Sequence, residues 1–406
     1  MAFDQYNFPT RIQSGPGAIG LLPAVLGELG LRRPLIVTDQ GLAGLRPVVG
    51  TRKLLADAGI DAAVFSGIWG NPVKAQVTSG VAAFRAAGAD AIVAIGGGAA
   101  IDVAKAIALM VHHPGDLFDY EDDLPGARPI DQKIPAFIAV PTTAGTGSEV
   151  GRSTVISVDE THVKKIIFSP RLLAVRVLVD PELTVGLPSR VTAATGMDAV
   201  THLVESFLAK GFHPMCDGIA LEGLRLAAAN LPVCVDFARR IENGERELAA
   251  DARHVEARGL MLNAALMGGV AFQKGLGVTH SLAHALSTVC DVHHGLANGI
   301  VLPYAMDFNR AVVADRLGRL GAAVGAAPTA DGFMGWLRAL EAHLGIPRTL
   351  TEAGVDRKHL DRLVEIAVHD VCHANNPRPV GEGDFRQLFD RAFSGVRADE
   401  VAGQVR

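Results

Sequence analysis

A chain of 406 residues exceeds what one ordinary hydrophobic core organises and predicts two domains, divided here as 1–188 and 189–406. Hydrophobic residues at 49%, charged residues at 20% and 45 glycines suit an ordered α/β or helix-rich protein and exclude a disordered one. A formal charge of −5 without a basic, aromatic-interleaved stripe excludes nucleic acid as the expected partner, and four scattered cysteines (Cys216, Cys234, Cys290, Cys372) with no CxxC pair exclude a disulfide frame or a zinc–sulfur site.

The chain opens with MAFDQYNFPTRIQ, which lacks a positive segment followed by an apolar one, so no secretory signal is expected. Reduced thiols then point to the cytoplasm. Gly15-Pro16-Gly17-Ala18-Ile19-Gly20 fits GxGxxG literally, but no apolar strand leads into it and Pro16 removes a backbone donor, so it reads as a turn. From Leu35 to Val179 short β-branched runs (PLIVT, AAVFS, AIVAIGGG, AFIAVPTT) alternate with helical patterns, the rhythm of βαβ units and a parallel sheet. The most apolar window, Ala91 to Val111, is interrupted by three glycines, Asp102 and Lys105. It reads as a buried strand, turn and helix rather than a membrane span. At its centre Gly97, Gly98 and Ala99 lie where a strand meets a helix N-terminus, a place that favours an anion such as a pyrophosphate. The acidic run Tyr120 to Asp123 reads as a solvated loop.

After DPELTVGLPSR the β-branched runs stop, Pro188-Ser189 reads as a stop followed by a helix cap, and amphipathic segments take over. They include 215–230, 249–268, 279–289, 359–371 and 384–393. The whole therefore predicts an α/β N-terminal domain with a parallel Rossmann-like sheet and an all-α C-terminal domain. Within the helical part Asp198 and His202 stand four apart on one helix face, as do His280 and His284 on another, and His293 and His294 follow just before Gly295. Three imidazole nitrogens and one carboxylate oxygen from this set suit Fe(II) or Zn(II) better than magnesium or calcium.

The order DxxxH, then HxxxH, then HG resembles the iron-containing alcohol dehydrogenase family, and the likeness runs the length of the chain. It implies a dehydroquinate synthase-like architecture and metal ligands at Asp198, His202, His280 and His294. His284 is then the non-ligating, catalytic histidine, and His293 has no role. The stretch GGGAAIDVAK matches the family's pyrophosphate segment, implicating Gly97, Gly98, Ala99 and, below them, Asp102; Ala99 stands where many members carry serine. Asp39, at the end of PLIVT, corresponds to a nucleotide contact, and a carboxylate there can accept from a ribose 2′-hydroxyl and repel a 2′-phosphate, favouring NAD over NADP. Asn71-Pro72, the loop Pro141 to Glu149 with Thr142, Thr143 and Thr146, and a lysine at Lys164 or Lys165 complete the implied cofactor set.

Three variants, Val150-Gly151-Arg152, Ala271 to Gly277 with Lys274, and Asp370 to Pro377 with Cys372, resemble the 4-hydroxybutyrate dehydrogenase branch. Arg152 and Lys274 then suggest cationic donors for a carboxylate remote from the reacting carbon, with Cys372 among the substrate contacts. The implied reaction is hydride exchange between a nicotinamide and a short ω-hydroxy acid or its semialdehyde, with a divalent ion polarising the substrate oxygen. A neutral short-chain alcohol is the second reading and a dehydroquinate synthase-type lyase a weaker third. A metallohydrolase leaves the glycine-rich turn unexplained. The family implies a homodimer or higher homo-oligomer, with no membrane partner.

Overall fold

A computed structural model describes residues 8–122 and 124–396; the first seven residues and Asp123 of the acidic run lie outside it. The chain forms two compact units, Phe8–Gly186 with Ala250–Leu262, and Leu187–Ala249 with 263–396. In the first unit the elements run β1 (Ile12–Ser14), α1 (Leu22–Glu28), β2 (Pro34–Asp39), α2 (Arg46–Asp57), β3 (Ala63–Ile68), α3 (Lys74–Ala86), β4 (Ala91–Gly96), α4 (Gly98–Met110), β5 (Ala136–Pro141), β6 (Ser153–Ser157), β7 (Lys164–Phe168) and β8 (Arg176–Val179).

Six strands form one sheet in the order β1-β8-β5-β4-β2-β3, every pair parallel. The apolar runs predicted as strands are its centre: Leu35, Ile36, Val37 and the whole of Ala91–Ile95 are almost fully buried, as strands covered on both faces must be. Ile36, Val93, Ile95, Ile138, Val140 and Leu178 pack with Leu22, Leu26, Val48 and Leu55 from α1 and α2. The sequence rhythm did not announce β1, nor the antiparallel hairpin of β6 and β7.

The chain passes from β2 outward to β3 and then returns to β4 on the other side of β2. That reversal creates a crevice at the carboxyl ends of β2 and β4, where open α/β sheets bind ligands. The literal GxGxxG is a turn, and its donors are occupied: the amides of Gly17 and Ile19 donate to the fully buried carboxylate of Asp180 at 3.2 and 3.1 Å. The acidic run is less solvated than expected, since Tyr120 is 3% exposed and Glu121 pairs with Lys165 at 2.9 Å.

The second unit holds α5 (Ser189–Leu208), α6 (Pro214–Glu242), most of α7's C-terminal half (α7 is Ala252–Ala271), α8 (Val278–Cys290), α9 (His294–Ala323), α10 (Ala330–Leu344), α11 (Leu360–His369) and α12 (Glu382–Ser394). Helix α5 is buried from Thr192 to Leu208 and packs against α6 and α9. Ser189 is its first residue rather than its cap, and its amide and hydroxyl donate to Glu242. By length and composition α6 is apolar enough to cross a membrane, but its apolar stripe, including Ala220, Leu224, Ala227 and Leu231, is buried. A helix buried on all sides has no solvent for its polar groups, so Asp198, His202 and Glu205 of α5 each need a protein or ligand partner.

Candidate metal centre and nucleotide cradle

Two helices and a turn set the histidines. Helix α8 ends at Asp291, which takes the left-handed conformation (φ 52°), and the chain reverses into α9, whose first residue is His294. Gly295 follows because α9 lies against α5 there: a Cβ at 295 would sit 2.2 Å from the carbonyl oxygen of Ala194. Any side chain would push the His294 end of α9 off α5, which is the physical content of the HG pair.

The four residues expected to bind metal meet in one place. Asp198 Oδ1 stands 3.4 Å from His294 Nε2 and 4.0 Å from His202 Nε2. The ring of His280 stacks on that of His202 with centroids 4.8 Å apart and lies 5.5 Å from that of His294. Asp198, His280 and His294 each offer a ligand atom within 4.8 Å of the others, and His202 lies beside this group through its contacts with Asp198 and His280. Asp198, His202 and His280 are 2%, 5% and 1% exposed, whereas the His294 side chain is 25% exposed, so the site opens on the His294 side.

Groups behind the ligands fix their chemistry. Glu205, one turn beyond His202 on α5, accepts from His280 Nδ1 at 2.7 Å and from the amides of Gly277, Thr279 and His280. Asn376 Oδ1 takes the amide of Val278, so two side chains meet four consecutive amides at the start of α8. The proton of His280 therefore sits on Nδ1, and Nε2, buried and with no hydrogen-bond partner, presents a lone pair to the cluster. Burial by itself would raise the Glu205 carboxyl, but the hydrogen bonds from His280 and Thr279 outweigh it and hold the group below its ordinary range. Asn298, one turn into α9, donates from Nδ2 to Asp198 Oδ1 at 2.8 Å and lies 3.2 Å from His294 Nε2. A buried, acceptor-rich pocket of this kind fits a divalent cation.

His284 stands apart from the ligands in partner but not in place. Its ring stacks on His294 with centroids 5.2 Å apart, and its Nδ1 lies 2.7 Å from Asp370 Oδ2. Asp370 Oδ1 accepts from Ser281 Oγ and from the amide of Cys372. Cys372 thus lies on the His284 side of the cluster. Glu205, Asn298, Asn376 and the partnership of Asp370 escaped the sequence reading, although Glu205 carried a signal: in DxxxHxxE a third polar residue shares the buried face.

Lys274 turns into the helical unit. Its side chain is 2% exposed and its ammonium bonds to Asp217 Oδ1 at 2.6 Å and to the Phe207 carbonyl at 3.0 Å, with Arg316 on the other oxygen of Asp217. The charge is neutralised inside the helical unit and is not presented to a substrate. Arg152, in the first unit, remains half-buried with its guanidinium 5.1 Å above the Phe168 ring.

The first unit gathers the expected cofactor residues at the crevice between β2 and β4. Gly97 is the N-cap of α4 and no side chain caps that helix, which leaves its first amides to an anion. A Cβ on Gly97 would meet Thr143 Oγ1 at 3.0 Å and one on Gly98 would meet the Thr146 methyl at 2.6 Å, so the glycines let the loop after β5 close over the helix end. Ala99 follows in the first turn. Asp39 caps its own turn through the Leu42 amide at 2.8 Å, while its other carboxylate oxygen faces Gly96. Asn71 ends the β3 connection, and the carbonyl of the next residue, Pro72, accepts from the Ser157 amide of β6.

The carboxylate of Asp102 is hydrogen-bonded within the first unit. It accepts from Ser148 Oγ at 2.5 Å and from the Val155 amide at 3.0 Å. Lys105, 1% exposed, donates to Ser148 O, Ser148 Oγ and Ser153 O. Together they tie the Thr142–Ser148 loop to α4. Burial pushes the Lys105 ammonium down to about 8 and the neighbouring Glu149 carboxyl up to about 7. Of the two lysines left open, Lys165 pairs with Glu121 at 2.9 Å.

Comparison with known proteins places this geometry. The family model described as iron-containing alcohol dehydrogenase matches residues 9–181, and the C-terminal model of the Fe-containing alcohol dehydrogenase family matches 192–393. A 4-hydroxybutyrate dehydrogenase of Cupriavidus necator is 39% identical, covering 97% of this chain and all of that one. A 1,3-propanediol dehydrogenase of Klebsiella pneumoniae is 35% identical over 96% and 98% of the two chains. Among solved structures, a 1,3-propanediol oxidoreductase superposes with a TM-score of 0.88 at 34% identity, covering 97% of this chain and 100% of that one. A sulfoacetaldehyde reductase of Bifidobacterium kashiwanohense in complex with NAD+ gives 0.84 at 27%, over 97% and 99%.

Two outcomes check the positioning groups. Glu205→Gln should weaken metal binding about 10–100-fold in a chelator competition, because the His280 tautomer is no longer imposed. An unchanged affinity would contradict the role given to Glu205. Lys105→Met should speed amide exchange across 142–153 by at least about tenfold, a local loss of order 1.4 kcal/mol. Exchange confined to wild-type rates would mean that Asp102 alone holds the loop.

Proposed function

The chain belongs to the iron-containing alcohol dehydrogenase family, and from that premise we propose that it interconverts a short ω-hydroxy acid and its semialdehyde with NAD as hydride carrier. The observation that carries the dehydrogenase reading is the convergence of Asp198, His202, His280 and His294 on one buried point, in the same chain as an uncapped α4 N-terminus beneath a hydroxyl-rich loop. When bound, a divalent ion, Fe(II) before Zn(II), supplies Lewis-acid polarisation of the substrate oxygen, and the nicotinamide supplies hydride acceptance or donation.

The residues of the chain do the rest. Asp198 supplies the charge and His202, His280 and His294 the nitrogen donors, with Glu205 turning the His280 lone pair inward and Asn298 holding the Asp198 carboxylate through a hydrogen bond. His284 handles the proton: Asp370 fixes Nδ1, which leaves Nε2 to exchange a proton with a substrate hydroxyl or with water. The Gly97–Gly98 amides and Thr142, Thr143 and Thr146 hold the pyrophosphate and ribose, and Lys164 adds a cation. Asp39 supports NAD over NADP, since its carboxylate would face a 2′-phosphate across the crevice.

The choice of substrate is supported by the 39% identical 4-hydroxybutyrate dehydrogenase and by Arg152, the cation left for a carboxylate once Lys274 is withdrawn. That withdrawal also favours a second reading, a neutral short-chain alcohol, in line with the 1,3-propanediol relative. Comparing kcat/KM for succinate semialdehyde and butanal separates them. We expect succinate semialdehyde to lead by at least about tenfold, roughly 1.4 kcal/mol, and Arg152→Ala to erase most of the lead through KM. A lead for butanal would establish the neutral reading instead.

A further inference from the structure

The thiol of Cys372 takes no part in the chemistry above, yet it is one of three metal-ligating groups held together beside it. An imidazole nitrogen of His284, a carboxylate oxygen of Asp370 and the sulfur of Cys372 all lie within 4.8 Å of one another. Among the described residues this and the Asp198 group are the two clusters of that kind. Its donors differ from the first in containing sulfur.

Each member is anchored. Asp370 follows α11 and its Oδ1 is fixed by Ser281 Oγ at 2.7 Å and the Cys372 amide at 2.9 Å, which leaves Oδ2 toward His284 Nδ1. Ser281 Oγ in turn accepts from the amide of His373, so the short helical turn carrying Cys372 is tied back to α8. The side chains of His284 and Asp370 are 18% and 15% exposed and Cys372 is 8% exposed. A small cation can therefore enter while bulk water is largely kept out. Although burial favours the neutral acid, the His284 charge and the hydrogen bonds from His284, Ser281 and the Cys372 amide keep Asp370 far below the usual carboxylate range, so an anion is already in place. One nitrogen, one oxygen and one sulfur suit zinc or cobalt and disfavour magnesium and calcium.

We propose that His284, Asp370 and Cys372 form a second, weaker binding site for a thiophilic divalent cation, foremost Zn(II), and that filling it inhibits the enzyme. Binding forms bonds from the ion to sulfur, to Asp370 Oδ2 and to His284 Nδ1. The thiol proton leaves to solvent, and the proton on Nδ1 is also released as the ring adopts the neutral tautomer with its one N–H on Nε2, so that the Nδ1 lone pair and Asp370 Oδ2 both bind the ion. No oxidation state changes. The inhibitory consequence rests on His284 being the group that handles the substrate proton, because the ion holds that ring in one state. The binding site itself does not depend on that reading.

Cobalt distinguishes the two sites, since a thiolate ligand gives an intense near-ultraviolet charge-transfer band that nitrogen and oxygen ligands lack. Titrating the metal-free protein with Co(II) should show a first equivalent without the band and a second equivalent with it. Cys372→Ser should lose the band and the second equivalent while keeping the first, and Asp198→Ala should lose the first and keep the band. In turnover assays excess Zn(II) should inhibit the wild type, with the inhibition constant raised at least about tenfold in Cys372→Ser. A wild type that binds one equivalent, or a band that survives in Cys372→Ser, overturns the proposal. Failure of the first site would appear separately, as a missing sulfur-free equivalent.

Discussion

The carboxylate of Glu205 is the constraint on which the helical unit depends. It lies 2% exposed on a helix with no access to water and gathers three backbone amides and one imidazole N–H from the start of α8. A buried carboxylate is costly unless fully hydrogen-bonded, and a helix N-terminus is costly unless its amides find acceptors. Here each requirement meets the other. The by-product is functional: α8 is held at one angle to α5, and His280 shows its unprotonated nitrogen to Asp198 and His202.

A similar economy operates in the sheet unit, where Asp102 and Lys105 satisfy one another's surroundings through Ser148 and bind the loop after β5 to α4. Their donors and acceptors face inward, which leaves the first α4 amides without a side-chain cap. The two units thus follow one rule. Buried charge is placed behind the site, joined by backbone hydrogen bonds, so that the groups in front are rigid and unsatisfied until a ligand arrives.

Much of this was legible in the residues. Strand periodicity gave β2, β3, β4 and β5, and the continuously apolar runs among them, β2, β4 and β5, are the ones buried on both faces, while the i, i+4 spacing of Asp198 with His202 located one half of the metal group. The HG pair marked the other, for a reason that appears only in the fold: Gly295 is needed where α9 touches the Ala194 carbonyl. What the sequence hid is what depends on distant partners. Lys274 looked like a substrate cation until Asp217, 57 residues away in the chain, was seen to neutralise it. Asp102 looked like a nucleotide contact because it follows the glycines, but its acceptors point to Ser148 and Val155, 46 and 53 residues on. Asn298 carries no local pattern, and although Asp370 opens the Asp370–Pro377 segment, nothing in that segment points to its partners Ser281 and His284, 89 and 86 residues earlier.

Everything rests on one ion being shared by four side chains drawn from three helices. Anomalous diffraction at the iron edge from crystals grown with Fe(II) tests this most directly. A single strong peak within about 2.0–2.3 Å of an Asp198 oxygen and of one nitrogen each from His202, His280 and His294 is the predicted result. A peak that omits any of the four, or that lies against His284 and Cys372 instead, would contradict the account.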